Sequence, residues 1–355
     1  MNKPMLSFVI PCYRSEHTIG AVVKELTDTL STRPEYEYEI VLVNDGSPDN
    51  SGALCDAWAA RDSRVQVLHQ GDLGVSMARN NGMALADSEF LVFLDSDDAL
   101  RPGALQAALD AQQADPDAFV VWNYTLDAAD PAPVTQAGAV LPPAKLARLW
   151  LDCYLPMPWN KLYRTALAQT LQFDKSFTLG EDLQFVLDYV ALLQTAQPPW
   201  HFRQLTAPLT FYDCSRSGTL SHRYHTDYCP VWVQHFTKLN AAAEALHAPA
   251  EDLHLLHRTE LRFYAEGVAD ILHRDPGTPA ERRRRAAEAL RAPWLRKLLR
   301  TLKAEKSYSP YYLPCLWRSL TVLNAMYTSK IYGSLWLFGK LDWAGYYLFL
   351  GKRQR

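Results

Sequence analysis

The chain has 355 residues, of which 48% are hydrophobic and 21% charged, and its formal net charge at pH 7 is −3. A chain of this length and composition can bury a large core, which excludes a protein that is disordered throughout. The cysteines are well separated and form no Cys-x-x-Cys pair, which is typical of reduced thiols and predicts a cytoplasmic protein. The stretch before Pro11 lacks a basic start and a long apolar run, so it predicts a strand and not a signal peptide.

Apolar runs alternate with helical spacings over the N-terminal part of the chain. In chain order, the predicted elements are strand 6–10 ended by Pro11, helix 15–30, strand 39–43, helix 51–60, strand 64–69, helix 75–86 and strand 89–94. Such alternation predicts an α/β fold with a mostly parallel sheet flanked by helices, whose ligands bind outside the carboxyl ends of the strands. Asp45 and Asp95 both fall at predicted carboxyl ends, so we expect them to line one crevice.

Acidic residues gather directly after the fourth predicted strand, in Asp95, Asp97 and Asp98. A buried carboxylate is costly unless a cation or a hydrogen-bond donor compensates it. Hard oxygen ligands at this spacing suit Mg²⁺ or Mn²⁺, which share their remaining positions with substrate phosphates. The alternative is an acidic turn in which Asp98 caps the helix that follows Pro102. The spacing alone leaves both interpretations open.

Six segments resemble, in order, motifs of family 2 glycosyltransferases. They are SFVIPCY at 7–13, VNDGS at 43–47, ARNNG at 78–82, LDSDD at 94–98, WNKLYR at 159–164 and GEDLQF at 180–185. The resemblance covers roughly residues 5–220 and implies inverting enzymes of the GT-A fold that use nucleotide-diphosphate sugars. It implies assembly of cell-surface polysaccharide or lipopolysaccharide, with a hexose or an N-acetylhexosamine as the transferred sugar.

The same resemblance implies a division of the chain. The catalytic domain is expected at residues 1–222, with a nucleotide-sugar half at 1–125 and an acceptor half at 144–222. Residues 127–143, rich in Ala, Pro and Asp, predict a loop or linker between the halves. Residues 223–355 are expected to form a mainly helical, basic and aromatic-rich C-terminal region.

The acids receive roles from the resemblance. Asp97, with Asp95 beside it, is implied to hold Mg²⁺ or Mn²⁺, which neutralises the diphosphate as it leaves. A carboxylate on the other side of the anomeric carbon is needed to take the proton of the acceptor hydroxyl. The resemblance assigns that role to Asp182, with Glu181 as the second candidate. The alternative is that both acids only favour a helix N-terminus through the helix dipole.

Further positions are implied on each side of the reaction. Contacts to the nucleotide sugar are implied at Pro11, Tyr13, Glu16, Asp45, Arg79, Asp95, Ser96 and Arg216. Arg79 is expected to reach either the nucleotide phosphates or the acids around Asp95. The acceptor site is implied to border on Trp159, Asn160 and Lys161, where Trp159 either stacks on a sugar or belongs to the core.

One departure from the family pattern is visible, since the family often has two aspartates where this chain has Asn44 and Asp45. Recognition of the nucleotide base, in a UDP or a GDP sugar, is therefore assigned to Asp45 alone. His222 or His225 is an open candidate for an additional metal ligand.

Two other classes of protein are weighed against the sugar transferase. A nucleotidyltransferase typically carries a Gly-rich, basic phosphate loop after its first strand, where this chain has the sequence PCYRSE at 11–16. A non-catalytic nucleotide-sugar-binding protein on the same fold would tolerate loss of its acids, yet Asp95, Asp97 and Asp182 are all present.

The C-terminal part of the chain is strongly basic. Residues 281–355 contain sixteen Lys or Arg against four Asp or Glu, so this part carries +12 and the remainder −15. Cations mixed with aromatic residues at helical spacing predict contact with an anionic membrane surface, where lipid-linked acceptors are found. Its uncharged stretches are shorter than the roughly 20 residues of a membrane span. The alternative is packing on the catalytic domain or on a second subunit, and no motif indicates nucleic-acid binding.

Overall fold

The structure is a computed structural model that describes residues 5–31, 37–177, 179–213 and 224–332. The described residues divide into two compact units. The first contains residues 5–143, 154–177 and 181–213, and the second contains residues 144–153, 179–180 and 224–332. The predicted domain boundary between residues 222 and 223 lies outside the described residues.

The first unit is built on a five-stranded sheet in the order β3-β2-β1-β4-β8. Its strands are β1 (Leu6–Cys12), β2 (Tyr38–Asp45), β3 (Val65–Gln70), β4 (Phe90–Phe93) and β8 (Tyr163–Arg164). The first four strands run parallel, and β8 is antiparallel to β4. Every residue of β1, β2 and β4 is buried, as expected for parallel strands covered on both faces. The predicted mostly parallel sheet is confirmed.

Three predicted helices follow these strands as α1 (Ile19–Ser31), α2 (Ser51–Arg61) and α3 (Val75–Leu85). The prediction that Pro11 ends the first strand is wrong, because β1 continues to Cys12 with Pro11 paired to Val43. The pairing of β1 with β4 reaches only Val9. Beyond Val9 no described strand pairs with this edge of β1, and an unpaired edge is where a strand tolerates proline.

Helix α3 packs unusually close to the sheet at Gly82. A Cβ atom at this position would lie 2.5 Å from Val9 Cγ1 and 2.9 Å from Val43 Cγ2. Glycine therefore lets the helix backbone approach β1 and β2, at some loss of helix propensity. This approach places the residues just before Gly82 near the carboxyl ends of the strands.

A second, four-stranded sheet has the long strand β9 (His201–Phe211) at its centre. The strand β6 (Ala118–Thr125) pairs parallel with one edge, while β5 (Ala99–Leu100) and β7 (Gly138–Leu141) pair antiparallel with β9. The predicted linker at 127–143 is therefore wrong over its last part. Strand β7 has four residues and no buried one, so it lacks the apolar pattern by which strands are predicted.

The remaining helices of the first unit are α4 (Ala104–Ala114), α6 (Thr165–Ala168) and α7 (Glu181–Ala196). The second unit contains a 3₁₀ turn ending at Lys145 and helices α5 (Leu146–Leu151), α8 (Tyr228–Ala245), α9 (Ala250–Arg274), α10 (Pro279–Ala289), α11 (Pro293–Ala304), α12 (Tyr312–Leu316) and α13 (Leu320–Tyr332). Helix α9 contacts α5, α8, α10, α11 and α13. The predicted helical C-terminal region is confirmed over its described part. In the described ranges no helix has both the length and the apolar content that crossing a bilayer requires.

A buried glutamate accepts hydrogen bonds from several elements at the amino-terminal edge of the first sheet. Glu39 is 7% exposed, and its Oε1 accepts hydrogen bonds from the hydroxyl of Ser7 and from the Asp87 amide. Its Oε2 accepts from Gln66 Nε2 at 2.9 Å. The carboxylate therefore satisfies donors from β1, from β3 and from the turn before β4.

We expect Glu39→Ala to lower the free energy of unfolding by about 1–3 kcal/mol, because buried donors lose their acceptor. Urea unfolding measures this difference, and the exposed neighbour Glu37 offers the control Glu37→Ala, which should stay within about 0.5 kcal/mol of the parent protein. Equal stability of the two variants would show that the Glu39 network contributes nothing.

Candidate active site

Asp95 follows β4 at the carboxyl edge of the parallel sheet. Leu94 N donates to Val9 O at 3.1 Å, which carries the pairing with β1 one residue past β4. The chain then turns, since Asp98 N donates to Asp95 O at 3.1 Å. Asp95 and the two residues after it are partly exposed, whereas Asp98 is buried. These acids lie at the edge where α/β sheets bind ligands.

One buried guanidinium joins the two groups of acids that the sequence singles out. The Arg79 side chain is 4% exposed; its Nη2 donates to Asp95 Oδ1 at 2.9 Å and its Nη1 donates to Asp182 Oδ1 at 2.6 Å. Glu181 Oε1 lies 3.5 Å from the same Nη1. Two residues 87 positions apart, Asp95 and Asp182, therefore flank a single side chain.

A pair of stacked aromatic rings lies next to Arg79 and Asp182. The Phe173 and Phe185 rings are parallel, with centroids 4.0 Å apart, and Arg79 Cζ lies 5.4 Å from the Phe173 centroid. Asn80 Nδ2 donates to Phe173 O at 2.9 Å, while Phe173 N donates to Asn80 Oδ1 at 2.7 Å. Phe185 lies one helical turn after Asp182 in α7, so the stack fixes the turn that presents this acid.

The surroundings of Asp182 raise the pKa of its carboxyl group. Burial raises the pKa of Asp182 to about 8, with Glu181 and Asp95 adding to the rise and Arg79 and Lys161 opposing it. Burial by itself would lower the pKa of Arg79, but the three carboxylates raise it above its usual value. The side chain of Asp182 keeps 23% of its surface exposed. It is thus a carboxyl with a basic pKa that a ligand can reach.

Asp98 does not cap the following helix, so that interpretation is wrong. Helix α4 has Gly103 as its N-cap, without a side-chain cap hydrogen bond. Asp98 Oδ1 instead accepts from Asp213 N at 3.1 Å, and Oδ2 has no hydrogen-bond partner among the residues that the structure describes. Burial, followed by the charge of Asp95, raises the pKa of Asp98 to about 9.

A divalent cation would find a minimal set of ligands here. Over the described ranges, no group of three or more Asp, Glu, His or Cys forms a ready metal cage. Mg²⁺, however, is often held by one or two carboxylates plus substrate phosphates, and the partly exposed Asp95 and Asp97 fit that pattern. Asp98 lies in the same turn but is buried. His222 lies outside the described residues, and His225 belongs to the second unit.

Asp45, the last residue of β2, holds the loop that leads into α3. Its Oδ1 accepts from Gln70 Nε2 and Leu73 N, both at 2.8 Å, and its Oδ2 accepts from Gly74 N at 2.9 Å. Asn81 Nδ2 donates in turn to Gln70 Oε1 at 2.6 Å. Both carboxylate oxygens are therefore engaged, and recognition of a nucleotide base by Asp45 stays a prediction.

The departure at Asn44 has a local structural explanation. Asn44 Nδ2 lies 3.0 Å from His69 Nδ1, and its Oδ1 accepts from Ser47 N at 3.2 Å. His69 Nε2 lies 2.9 Å from Asp56 Oδ1. The amide thus links the loop after β2 to β3 and α2 through a histidine.

The end of β1 and the loop after it contain three of the predicted donor contacts, and they differ in exposure. Pro11 is buried within β1, whereas the Tyr13 side chain is 43% exposed. Glu16 Oε2 accepts from Asn50 N at 3.1 Å, and Glu16 N donates to Asp49 Oδ2 at 3.3 Å. Glu16 therefore fastens this loop to the loop after β2, and Tyr13 presents the accessible surface.

The predicted acceptor-side residues form a buried turn of the first unit. Trp159 is 2% exposed, with its ring centroid 5.3 Å from those of both Tyr124 and Tyr212. Asn160 Nδ2 donates to the carbonyl of Trp122 at 2.8 Å. In this arrangement Trp159 belongs to the core and its faces are covered.

Lys161 and Arg216 complete the list of predicted positions. The Lys161 ammonium is fully buried and donates to Met157 O and Asn160 Oδ1. Burial lowers the pKa of Lys161 well below its usual value, although the charge of Asp182 opposes this. Arg216 lies outside the described residues. Ser96 lies in the turn after β4 and is partly exposed.

The ARNNG motif at 78–82 contributes more than the single residue assigned from it. Asn80 holds Phe173, Asn81 holds Gln70, and Gly82 admits the close contact with the sheet. The signal was present, because consecutive amides followed by glycine are unfavourable inside a helix unless tertiary contacts use them. Phe173 gave no such signal, since its role depends on stacking with Phe185 of α7.

Residues 7–177 match the sequence model of the family described as "Glycosyl transferase family 2". The chain is 29% identical over 194 residues to "Uncharacterized glycosyltransferase EpsJ" of Bacillus subtilis (strain 168), covering 52% of this chain and 55% of EpsJ. It is 34% identical over 128 residues to "Glycosyltransferase GlyG" of Streptococcus pneumoniae serotype 4 (strain ATCC BAA-334 / TIGR4), covering 36% and 41%. The chain thus spans about half the length of these curated relatives.

A solved structure shares the fold. The crystal structure of S. aureus TarS 1-349 in complex with UDP-GlcNAc matches with a TM-score of 0.60 at 18% identity, over 94% of this chain and 93% of that chain. This likeness confirms the predicted GT-A-like fold. Over residues 7–177, slightly less than half of its length, the chain resembles glycosyl transferase family 2.

Proposed function

We propose that the chain is an inverting glycosyltransferase that moves a sugar from a nucleotide diphosphate to an acceptor hydroxyl. The observation that carries this proposal is the pair of acids on Arg79, with Asp95 after β4 on one side and Asp182 at the start of α7 on the other. An inverting displacement needs negative charge managed on the leaving side and a proton accepted on the attacking side. We assign the attacking side to Asp182 and the leaving side to Asp95, which would act there by helping to hold a divalent cation.

Asp182 acts as the general base in this mechanism, with Glu181 as the alternative. A carboxyl whose pKa is raised to about 8 accepts a proton from a sugar hydroxyl more readily than an ordinary aspartate. Inversion follows from one displacement at the anomeric carbon, so no carboxylate has to attack carbon, in contrast to retaining glycosidases.

Asp97 and Asp95 are the residues that would hold Mg²⁺ or Mn²⁺. A bound divalent ion supplies Lewis-acid stabilisation of the leaving diphosphate. Tyr13 and Ser96 are proposed to border the donor because both expose surface near the carboxyl edge. Since TarS 1-349 was solved with UDP-GlcNAc, UDP sugars of hexoses and N-acetylhexosamines are the first donors to test, followed by GDP sugars.

The acceptor is proposed to be a carbohydrate or a lipid-linked sugar at an anionic membrane surface, as in assembly of cell-surface polysaccharide. Helix α11 supports this, because its buried side carries four leucines while Arg296, Lys297, Arg300 and Lys303 are exposed. The same unit exposes apolar side chains at Leu313, Leu316, Trp317 and Val322. Exposed cations together with exposed aliphatic and aromatic groups favour interfacial lipid binding.

Asp182→Asn should preserve donor binding and lower turnover by about 10²–10⁴-fold, as loss of a general base implies. Turnover is measured with the donor that raises the melting temperature most. Glu181→Gln is the matched variant on the same helical turn and should lose far less. If Glu181→Gln is instead the inactive variant, the base is Glu181; near-normal turnover in both contradicts the mechanism.

Asp97→Ala should abolish the additional melting-temperature rise that Mn²⁺ adds to UDP, because the ion and the diphosphate share the site. Thermal shift with UDP, with and without Mn²⁺, reports this without any turnover. Asp117→Ala, at an exposed aspartate before β6, is the control and should respond like the parent protein. A full Mn²⁺-dependent shift in Asp97→Ala would exclude Asp97 as a ligand.

Reversing the four exposed cations of α11 to glutamate should remove most binding to vesicles rich in phosphatidylglycerol. Co-sedimentation measures it, with phosphatidylcholine vesicles as the neutral surface. Lys24→Glu reverses an exposed cation of α1 and should leave binding unchanged. Equal binding by the parent protein and the α11 variant would refute α11 as a lipid-binding surface. If light scattering gives the α11 variant a lower molar mass than the parent protein, the exposed cations contact a second subunit instead.

A further inference from the structure

Arg79 is the most buried member of the cluster to which it belongs. Its side chain is 4% exposed, whereas those of Asp95, Asp182 and Glu181 are 28%, 23% and 14% exposed. The acids therefore face the crevice and the cation lies behind them. A cation in this position is poorly placed to contact a ligand and well placed to hold the acids that do.

We infer that Arg79 is a positioning residue of the transfer reaction, which orients the general base Asp182 relative to the donor-side Asp95. This inference rests on the proposed function. It differs from a role in direct nucleotide binding, because the Arg79 side chain is only 4% exposed and both of its terminal nitrogens donate to carboxylates.

Geometry supports the positioning role. Two different nitrogens of a rigid, planar group bind Asp182 and Asp95, so the distance between the two carboxylates is set by the width of a guanidinium. The group cannot turn freely, since Asn80 fixes Phe173 beneath it. A lysine at this position would supply charge but only a point contact.

Arg79 lowers the pKa of Asp182, against several neighbouring groups that raise it. Asp95 after β4 and Glu181 on its own helix both favour the protonated form, and Tyr163 of β8 contributes no cation. Lys161 opposes them, but burial lowers its own pKa well below the usual value. Arg79 is the permanently charged cation of this group, because its pKa lies above that of free arginine.

The test compares Arg79→Gln with Arg79→Lys through the pH dependence of kcat/KM for the acceptor. In the parent protein, activity should rise with pH through about 8, because the deprotonated form of Asp182 is the active one. Arg79→Gln should move this midpoint upward by about one pH unit or more. Arg79→Lys should keep the midpoint near the parent value, because lysine retains the positive charge. It should lower kcat by about tenfold or more, because an ammonium cannot hold both carboxylates in the fixed geometry of the planar guanidinium.

Donor affinity separates the positioning role from direct binding. UDP with Mn²⁺ should raise the melting temperature of Arg79→Gln by nearly as much as that of the parent protein. A loss of the UDP shift with an unchanged pH midpoint would overturn the inference and make Arg79 a donor ligand. An unchanged midpoint and unchanged kcat in a folded Arg79→Gln would overturn it as well.

The two proposals fail in different ways. If Asp182→Asn retains near-normal turnover, the proposed base is wrong regardless of Arg79. If Asp182→Asn is inactive while both Arg79 variants keep the parent pH profile and kcat, only the positioning role is refuted. Circular dichroism and melting temperature of each variant show whether it is folded, and Arg79→Lys provides the test if Arg79→Gln is not.

Discussion

The first unit depends on the burial of one cation among three carboxylates. Removing Arg79 from water is costly, and among the described residues the carboxyl groups of Asp95, Glu181 and Asp182 lie within 4 Å of it and offset that cost. These residues come from α3, the turn after β4 and the start of α7, so the compensation requires all three elements to meet. The same ion pairs that compensate the buried guanidinium therefore bring together the acids of the proposed active site.

Helix α3 connects this ion cluster to the rest of the unit. Gly82 sets its distance from β1 and β2, and Asn81 reaches Asp45 through Gln70. Asn80 holds Phe173, whose ring stacks on the helix that presents Asp182. The two amides of a short helical motif therefore link the donor-side loop to the proposed base, which explains their presence inside a helix, where amides are otherwise unfavourable.

One wrong prediction and two questions that the sequence left open share one cause, namely partners that are distant in sequence. Asp98 resembled a helix cap, but its carboxylate binds the amide of Asp213. Residues 138–141 resembled a linker and form β7 only because β9 offers a free edge. Trp159 allowed either a sugar platform or a core residue, and the rings of Tyr124 and Tyr212 place it in the core. Local patterns contain no information about such partners.

By itself, the sequence determined the alternation of strands and helices, the helical C-terminal region and the acids of the crevice. These follow from periodicity and from the rule that parallel strands end at one edge, which are local or topological constraints. Only the tertiary structure decided that Arg79 bridges Asp95 and Asp182 and that burial raises the pKa of Asp182. Desolvation and ion pairing depend on distances between residues far apart in the chain, so they arise only when the chain is folded.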